Sequence, residues 1–243
     1  MEIALTLLVI FVAAVVQGAS GFGFGLVAVA LLSLLVQIED AAVLNVLPAL
    51  TINCLLAGRL FASISWKVVP VVALAAVVAT PVGVMVLRHM DSRHLNLILA
   101  ALLLAAVLQA IIPHLRRLRF HSPLLAAILG GVSGIFAGAL GAGGPALVAY
   151  VNSLGLSRHQ QVATLQLLLG TMGTVRLLEL IRSDMLTPAQ WWTSGLCSLI
   201  VIPGALAGLW LLGKSSESIF RPAVIGLLFL IMLRSAALGF GWL

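Results

Sequence analysis

Apolar runs long enough to cross a bilayer recur along this chain, and two of them carry matching glycine clusters. The first is Gln17-Gly18-Ala19-Ser20-Gly21-Phe22-Gly23-Phe24-Gly25, and the second is Gly138-Ala139-Leu140-Gly141-Ala142-Gly143-Gly144-Pro145. Laid over each other, Gly18, Gly21 and Gly23 fall on Gly138, Gly141 and Gly143. Glycine loses more backbone entropy than any other residue on entering a helix. A cluster of glycines inside a membrane segment predicts a helix that stops and restarts.

Lipid as the solvent follows from the shortage of charge. Only 8% of the 243 residues are charged and 62% are hydrophobic, whereas a soluble domain carries about 25% charged residues. Each crossing takes ~20 apolar residues, so the length allows roughly eight crossings and leaves no room for a soluble domain. The fold class expected is therefore all-α: a polytopic membrane protein of about eight spans in two four-span repeats, with broken helices at the glycine clusters. The net charge of +6 reads as loop lysines and arginines at span ends, not as a nucleic-acid surface. Cys54 and Cys197 lie in apolar spans and form neither a disulfide framework nor a zinc pattern. The N-terminus lacks the basic region of a signal peptide, so the first span is expected to be retained.

The order of features repeats. In each half a glycine cluster is followed by a polar span, a tryptophan (Trp66; Trp191 and Trp192), a span holding proline and glycine (Pro81-Val82-Gly83; Pro203-Gly204), a charged turn and a final span. This self-similarity divides the chain into a first membrane repeat, 1–115, a basic cytoplasmic connector, 116–122, and a second repeat, 123–243. Arg116, Arg117 and Arg119 make the connector the densest positive cluster. Four full crossings per half place the halves in one sense; incomplete crossing by the broken spans inverts them. Both arrangements stay open.

The duplicated glycine entry, the size and the mid-chain basic loop resemble the TauE/SafE family, the sulfite exporters and sulfonate permeases. The resemblance covers essentially the whole chain. It implies a multi-pass transporter of the bacterial inner membrane that moves small sulfur-containing anions such as sulfite or organosulfonates. In the first half Phe22 and Phe24 interrupt the glycines and no proline comes before Pro48, while in the second half Pro145 directly follows the last glycine.

Broken helices suit an anion. A restarting helix presents free N–H groups and the positive end of its dipole, and glycines let an oxyanion approach the backbone. No lysine or arginine is then needed at the bilayer centre, where it costs ~2.5–3.5 kcal/mol or more. The expected substrate-binding set is Gly18, Ser20, Gly21, Gly23, Gly138, Gly141, Gly143, Gly144, Asn53, Thr171, Thr174 and Arg176, with Asn45 as a further polar candidate. Pro81, Pro145 and Pro203 are expected helix breaks. Each polar residue has a plain alternative, a hydrogen bond between helices. The glycines have another in close packing, which Gly130, Gly134 and Gly138 favour by their four-residue spacing. Arg176 stands one turn before Glu179; it reads either as an interfacial ion pair or snorkelling side chain, or as a gate that attracts anions.

A transporter of another small anion, or an ion channel, is the alternative function. Gly21-Phe22-Gly23-Phe24-Gly25 resembles a potassium filter, but a filter needs four equivalent loops. No nucleophile–base pair, metal cluster, dinucleotide fingerprint or P-loop occurs, so no enzyme, metal or cofactor is expected. The expected partners are a small anionic substrate and the lipid bilayer, with no nucleic acid. Transport direction, coupling ion and homo-oligomerisation are not legible here.

Overall fold

The computed structural model describes residues 2–112, 122–214 and 217–242, and they are helical throughout apart from short connections. The order is α1 (Glu2–Ser20), α2 (Phe24–Leu32), α3 (Ile38–Leu44), α4 (Val46–Arg59), α5 (Val69–His89), α6 (Ser92–Ile111), α7 (Pro123–Leu140), α8 (Gly144–Ser153), α9 (Arg158–Arg182), α10 (Pro188–Lys214) and α11 (Glu217–Phe240). Among the described residues seven segments are long and apolar enough to cross a membrane, with Ile38–Arg59 counted as one, and Val224–Phe240 is a shorter apolar helix. The chain is a polytopic, all-helical membrane protein. Most of the expected basic connector, 116–122, lies outside the described residues.

Lipid-facing surfaces show as apolar stripes at helical spacing. On α5 the exposed large apolar residues are Val71, Leu74, Val78, Val82 and Met85, one face of a 3.6-residue period. Trp66, Trp192 and Trp242 are exposed near helix ends, where indole rings favour the membrane interface. Turns are capped by side chains. Asp91 caps α6 by accepting the His94 backbone N–H, and the His94 ring also bonds it, which holds the Asp91 carboxyl below its ordinary value.

Small residues set the helix pairs and their senses. On α7, Gly130 meets Val72, Gly134 meets Ala76, and Gly138 meets Thr80 and Gly83, so α5 and α7 run parallel. Gly204 meets Phe11 and Ala14, and Gly208 meets Val15, Gly18 and Ala19, so α1 and α10 also run parallel. Gly170 meets Asn53 and Gly173 meets Leu50, so α4 and α9 are antiparallel. The end of α11, at Gly239, lies on Arg93 and Leu97 at the start of α6. These senses fit together only if α1 and α4 point the same way, with α2 returning between them, and likewise α7 and α9, with α8 returning. At 1.5 Å per residue α2 is about 14 Å long, roughly half the hydrocarbon thickness. The halves therefore run in opposite senses, and each one's first helix packs on the other's third long helix.

Pro81 and Pro203 do not break their helices. They lie inside α5 and α10, which continue through them. A membrane helix loses one bond at an internal proline and tolerates it where neighbours pack closely. Gly83 lies against the α7 backbone from Ile135 to Ala139, and Gly204 and Gly208 lie against α1 from Phe11 to Ala19.

Gly138→Ala should lower the thermal stability of the purified protein by an amount in the ~1–3 kcal/mol overpacking range, because its Cβ would overlap the Thr80 carbonyl oxygen. Gly131→Ala on the same helix, with nothing within 4 Å of its Cβ, should be neutral or stabilise by up to ~1 kcal/mol. Melting curves in detergent separate the two.

Candidate functional site

Both glycine clusters end one helix and start another. Gly21 (φ 85°) and Gly141 (φ 68°) are left-handed residues that close α1 and α7. The Gly21 N–H bonds the Gln17 carbonyl at 2.7 Å, and the Gly141 N–H bonds the Ala137 carbonyl at 2.8 Å, the glycine C-cap at both ends. Gly23, at φ 103°, opens α2 without a side-chain cap. Gly143 opens α8, also without a side-chain cap, and Pro145 is that helix's second residue. The breaks touch: a Cβ on Gly25 would overlap the Gly141 carbonyl oxygen. They are nevertheless staggered. Gln166 of α9 serves the first and Arg176 the second, about 15 Å apart along that helix.

Amide side chains close the first break. The Gln17 Oε1 accepts the Phe24 N–H at 2.8 Å, and Gln166 Nε2 donates to the Gly21 carbonyl at 2.7 Å. Gln17 Nε2 in turn donates to Asn53 Oδ1 at 2.9 Å and Gln166 Oε1 at 3.0 Å. All three amides are buried. The remaining first-turn N–H groups of α2, at Gly25 and Leu26, have no intrahelical carbonyl to bond.

Arg176 dominates the second break. It is 2% exposed. Its Nε donates to the Gly138 carbonyl and its Nη2 to the Ala42 carbonyl, each at 3.0 Å. Both carbonyls lie in the last turns of helices, α7 and α3, where free carbonyls and the negative dipole end collect. Nη1 makes no hydrogen bond among the described residues and points at the glycine turn. A Cβ on Gly141 would stand 2.5 Å from it and 2.7 Å from Asn45 Nδ2. No acidic side chain pairs with Arg176 among the described residues. Asn45 is fully buried and its Oδ1 has no partner.

The ion pair between Arg176 and Glu179 does not form, and Arg176 does not snorkel. Glu179 pairs with Arg182 at 3.2 Å, and Arg176 faces inward because it shares a helix face with buried Met172 and Leu180.

The other expected site residues separate into groups. Gly23 and Gly144 have open space beside them, with nothing within 4 Å of a built Cβ. Gly143 is packed on Ser133 and Ala137, and its carbonyl accepts the Ser133 hydroxyl. Gly18 and Gly138 are helix-crossing positions pressed against α10 and α5, and Gly21 packs on Val162. The Ser20 hydroxyl turns back to the Val16 carbonyl at 2.7 Å. Thr171 and Thr174 bond carbonyls of their own helix, those of Leu167 and Gly170. Thr174 is exposed one turn before exposed Leu178, away from the breaks. Gln17, Gln166 and Ser133 are the residues that sequence reasoning passed over. Their signal was a polar side chain in an apolar span, which hydrocarbon forces to find a partner.

The model for the sulfite exporter TauE/SafE family matches residues 6–235. The chain belongs to that family. It is thus a membrane transporter of the type that exports sulfite and related sulfur anions. Curated proteins and solved structures give no match. Within this TauE/SafE protein, the two breaks and Arg176 bring half-helix N-termini, buried amides and a buried cation together.

Gln17→Leu strips the Phe24 N–H of its acceptor and leaves the Gln166 and Asn53 amides short of a donor. Stranded buried polar groups cost ~1–3 kcal/mol each. The variant should melt clearly below the wild type in detergent; an equal melting temperature contradicts this account of the first break.

Proposed function

We propose that this protein carries a small sulfur oxyanion, sulfite or an organosulfonate, across the bacterial inner membrane, and that the anion binds at the second break. The observation that carries this reading is Arg176: a buried guanidinium, unmatched among the described residues by any carboxylate or by a third acceptor, with Nη1 beside the Gly141 turn. A lone cation in a span costs ~2.5–3.5 kcal/mol or more. Two carbonyls offset part of that cost, and a bound anion offsets the rest. The uncapped first turn of α8 and the space beside Gly144 lie within the same turn, so backbone N–H groups complete the shell.

The opposite senses of the halves support the transport cycle. Two inverted four-helix units, 1–115 and 123–243, joined by the basic connector on the cytoplasmic face, give a pseudo-two-fold axis in the membrane plane. Rocking one unit against the other exposes a central site to each face in turn. Gln166 of the second half donates to the Gly21 carbonyl of the first break, and Arg176, beside the second break, donates to the Ala42 carbonyl of the first half. Hydrogen bonds thus cross between the halves at both breaks, as a coupled rocking motion requires.

Flux into proteoliposomes tests the reading. Saturable flux of sulfite or an organosulfonate, without potassium flux, is expected. Gly144→Ala adds a methyl where there is room and the backbone is helical, so the protein should fold and its anion affinity should fall. Arg176→Gln should reduce flux by ~10-fold or more, the loss of a charge-assisted bond of ~1.5–3 kcal/mol. Unchanged sulfur-anion affinity in both variants overturns the assignment of the site.

A further inference from the structure

α3 is the outer piece of a span that is cut from the rest at Asn45. Two backbone bonds bridge the cut, Asn45 N–H to the Ala41 carbonyl at 3.3 Å and Ala49 N–H to the Asn45 carbonyl at 3.0 Å. Pro48 has no N–H to offer the Leu44 carbonyl four residues back. That carbonyl instead accepts the Ser194 hydroxyl of α10 at 2.9 Å, and the Ala42 carbonyl accepts Arg176 Nη2. The start of α3 is tethered as well. Gln190 Nε2 donates to Asp40 Oδ1 at 2.8 Å, and the Ser92 hydroxyl donates to Glu39 Oε1 at 2.7 Å. Apart from the Asn45 junction, these side-chain tethers run to α6 and to the second half. Ser92 is the first residue of α6, whose other end leads to the basic connector. α3 therefore sits at the face opposite the connector, over the Gly141 turn.

We infer that α3 is the outer gate of the anion site, hinged at Asn45–Pro48, and that Arg176 is its latch. The inference rests on the site assigned above. In the closed arrangement Nη2 is spent on the Ala42 carbonyl. When α3 swings away, that nitrogen loses its acceptor and turns to the anion, so opening and anion capture share one guanidinium. An anion on Arg176 in turn weakens the latch, the reciprocity that any coupled equilibrium requires. Asp40, Gln190 and Ser194 are positioning residues: they act on the gate and do not touch the anion.

A reducible bis-methanethiosulfonate linker between Asp40→Cys and Gln190→Cys, in a background of Cys54→Ser and Cys197→Ala, tests the gate. Two readouts are taken: sulfite flux in proteoliposomes, and the rate at which an impermeant thiol reagent, added at the face opposite the connector, labels Ala142→Cys in the same background. Linking should slow labelling about tenfold, with recovery on reduction, and Gln190→Leu, which only loosens a tether, should speed it. A labelling rate that ignores both linkage and Gln190→Leu overturns the gate. Labelling that follows the linker while the reduced protein moves no sulfite keeps the gate and rejects the substrate.

Discussion

A backbone group that leaves its helix ladder inside hydrocarbon must find another partner, and the centre of this protein is organised by that requirement. Among the described residues three helix interruptions lie there: between α1 and α2, between α3 and α4, and between α7 and α8. Each frees carbonyls and N–H groups that lipid cannot satisfy. The side chains that take them come largely from helices distant in sequence. Gln166 takes the Gly21 carbonyl, Ser194 takes that of Leu44, and Arg176 takes those of Gly138 and Ala42. The interruptions thereby tie the two halves together.

The choice of arginine for one of these positions is the informative one. Glutamine and serine satisfy freed carbonyls elsewhere in this core at no cost in charge. A guanidinium presents five donors in a fixed fork, stays charged when buried, and can grip two oxygens of one oxyanion at once. Using it beside an uncapped half-helix, with no carboxylate among the described residues to neutralise it, gives the site a positive potential. Gly144, which opens α8, has open space beside it, whereas Gly138, six residues earlier on α7, is pressed against α5.

Much of the architecture was legible from residue patterns. Span positions follow from apolar runs, and the breaks follow from the glycines because Gly21, Gly23 and Gly141 adopt left-handed backbone that other residues avoid. Prolines were less readable. Pro145 stands at the start of a helix, Pro48 opens a ladder near a helix start, and Pro81 and Pro203 are absorbed inside helices. What separates them is the packing around each freed carbonyl, which is a property of neighbours far along the chain. Threonines gave a weaker signal for a related reason: Thr171 and Thr174 satisfy their hydroxyls on their own helix, so their polarity carries no requirement for a distant partner. Gln17, Gln166 and Arg176 are too long or too charged to hide that way, and all three sit at breaks. The relative sense of the halves needed the paired glycine contacts, since counting spans cannot tell a crossing from a return.

The central claim is that an oxyanion is held between the free nitrogen of Arg176 and the first turn of α8. Anomalous scattering from selenite, a heavier analogue of sulfite, soaked into crystals of the protein tests it most directly. The account predicts a selenium peak within hydrogen-bonding range of Arg176 Nη1 and the N–H groups that open α8. A peak that lies elsewhere, with the Arg176 guanidinium still sealed on its two carbonyls, would contradict it.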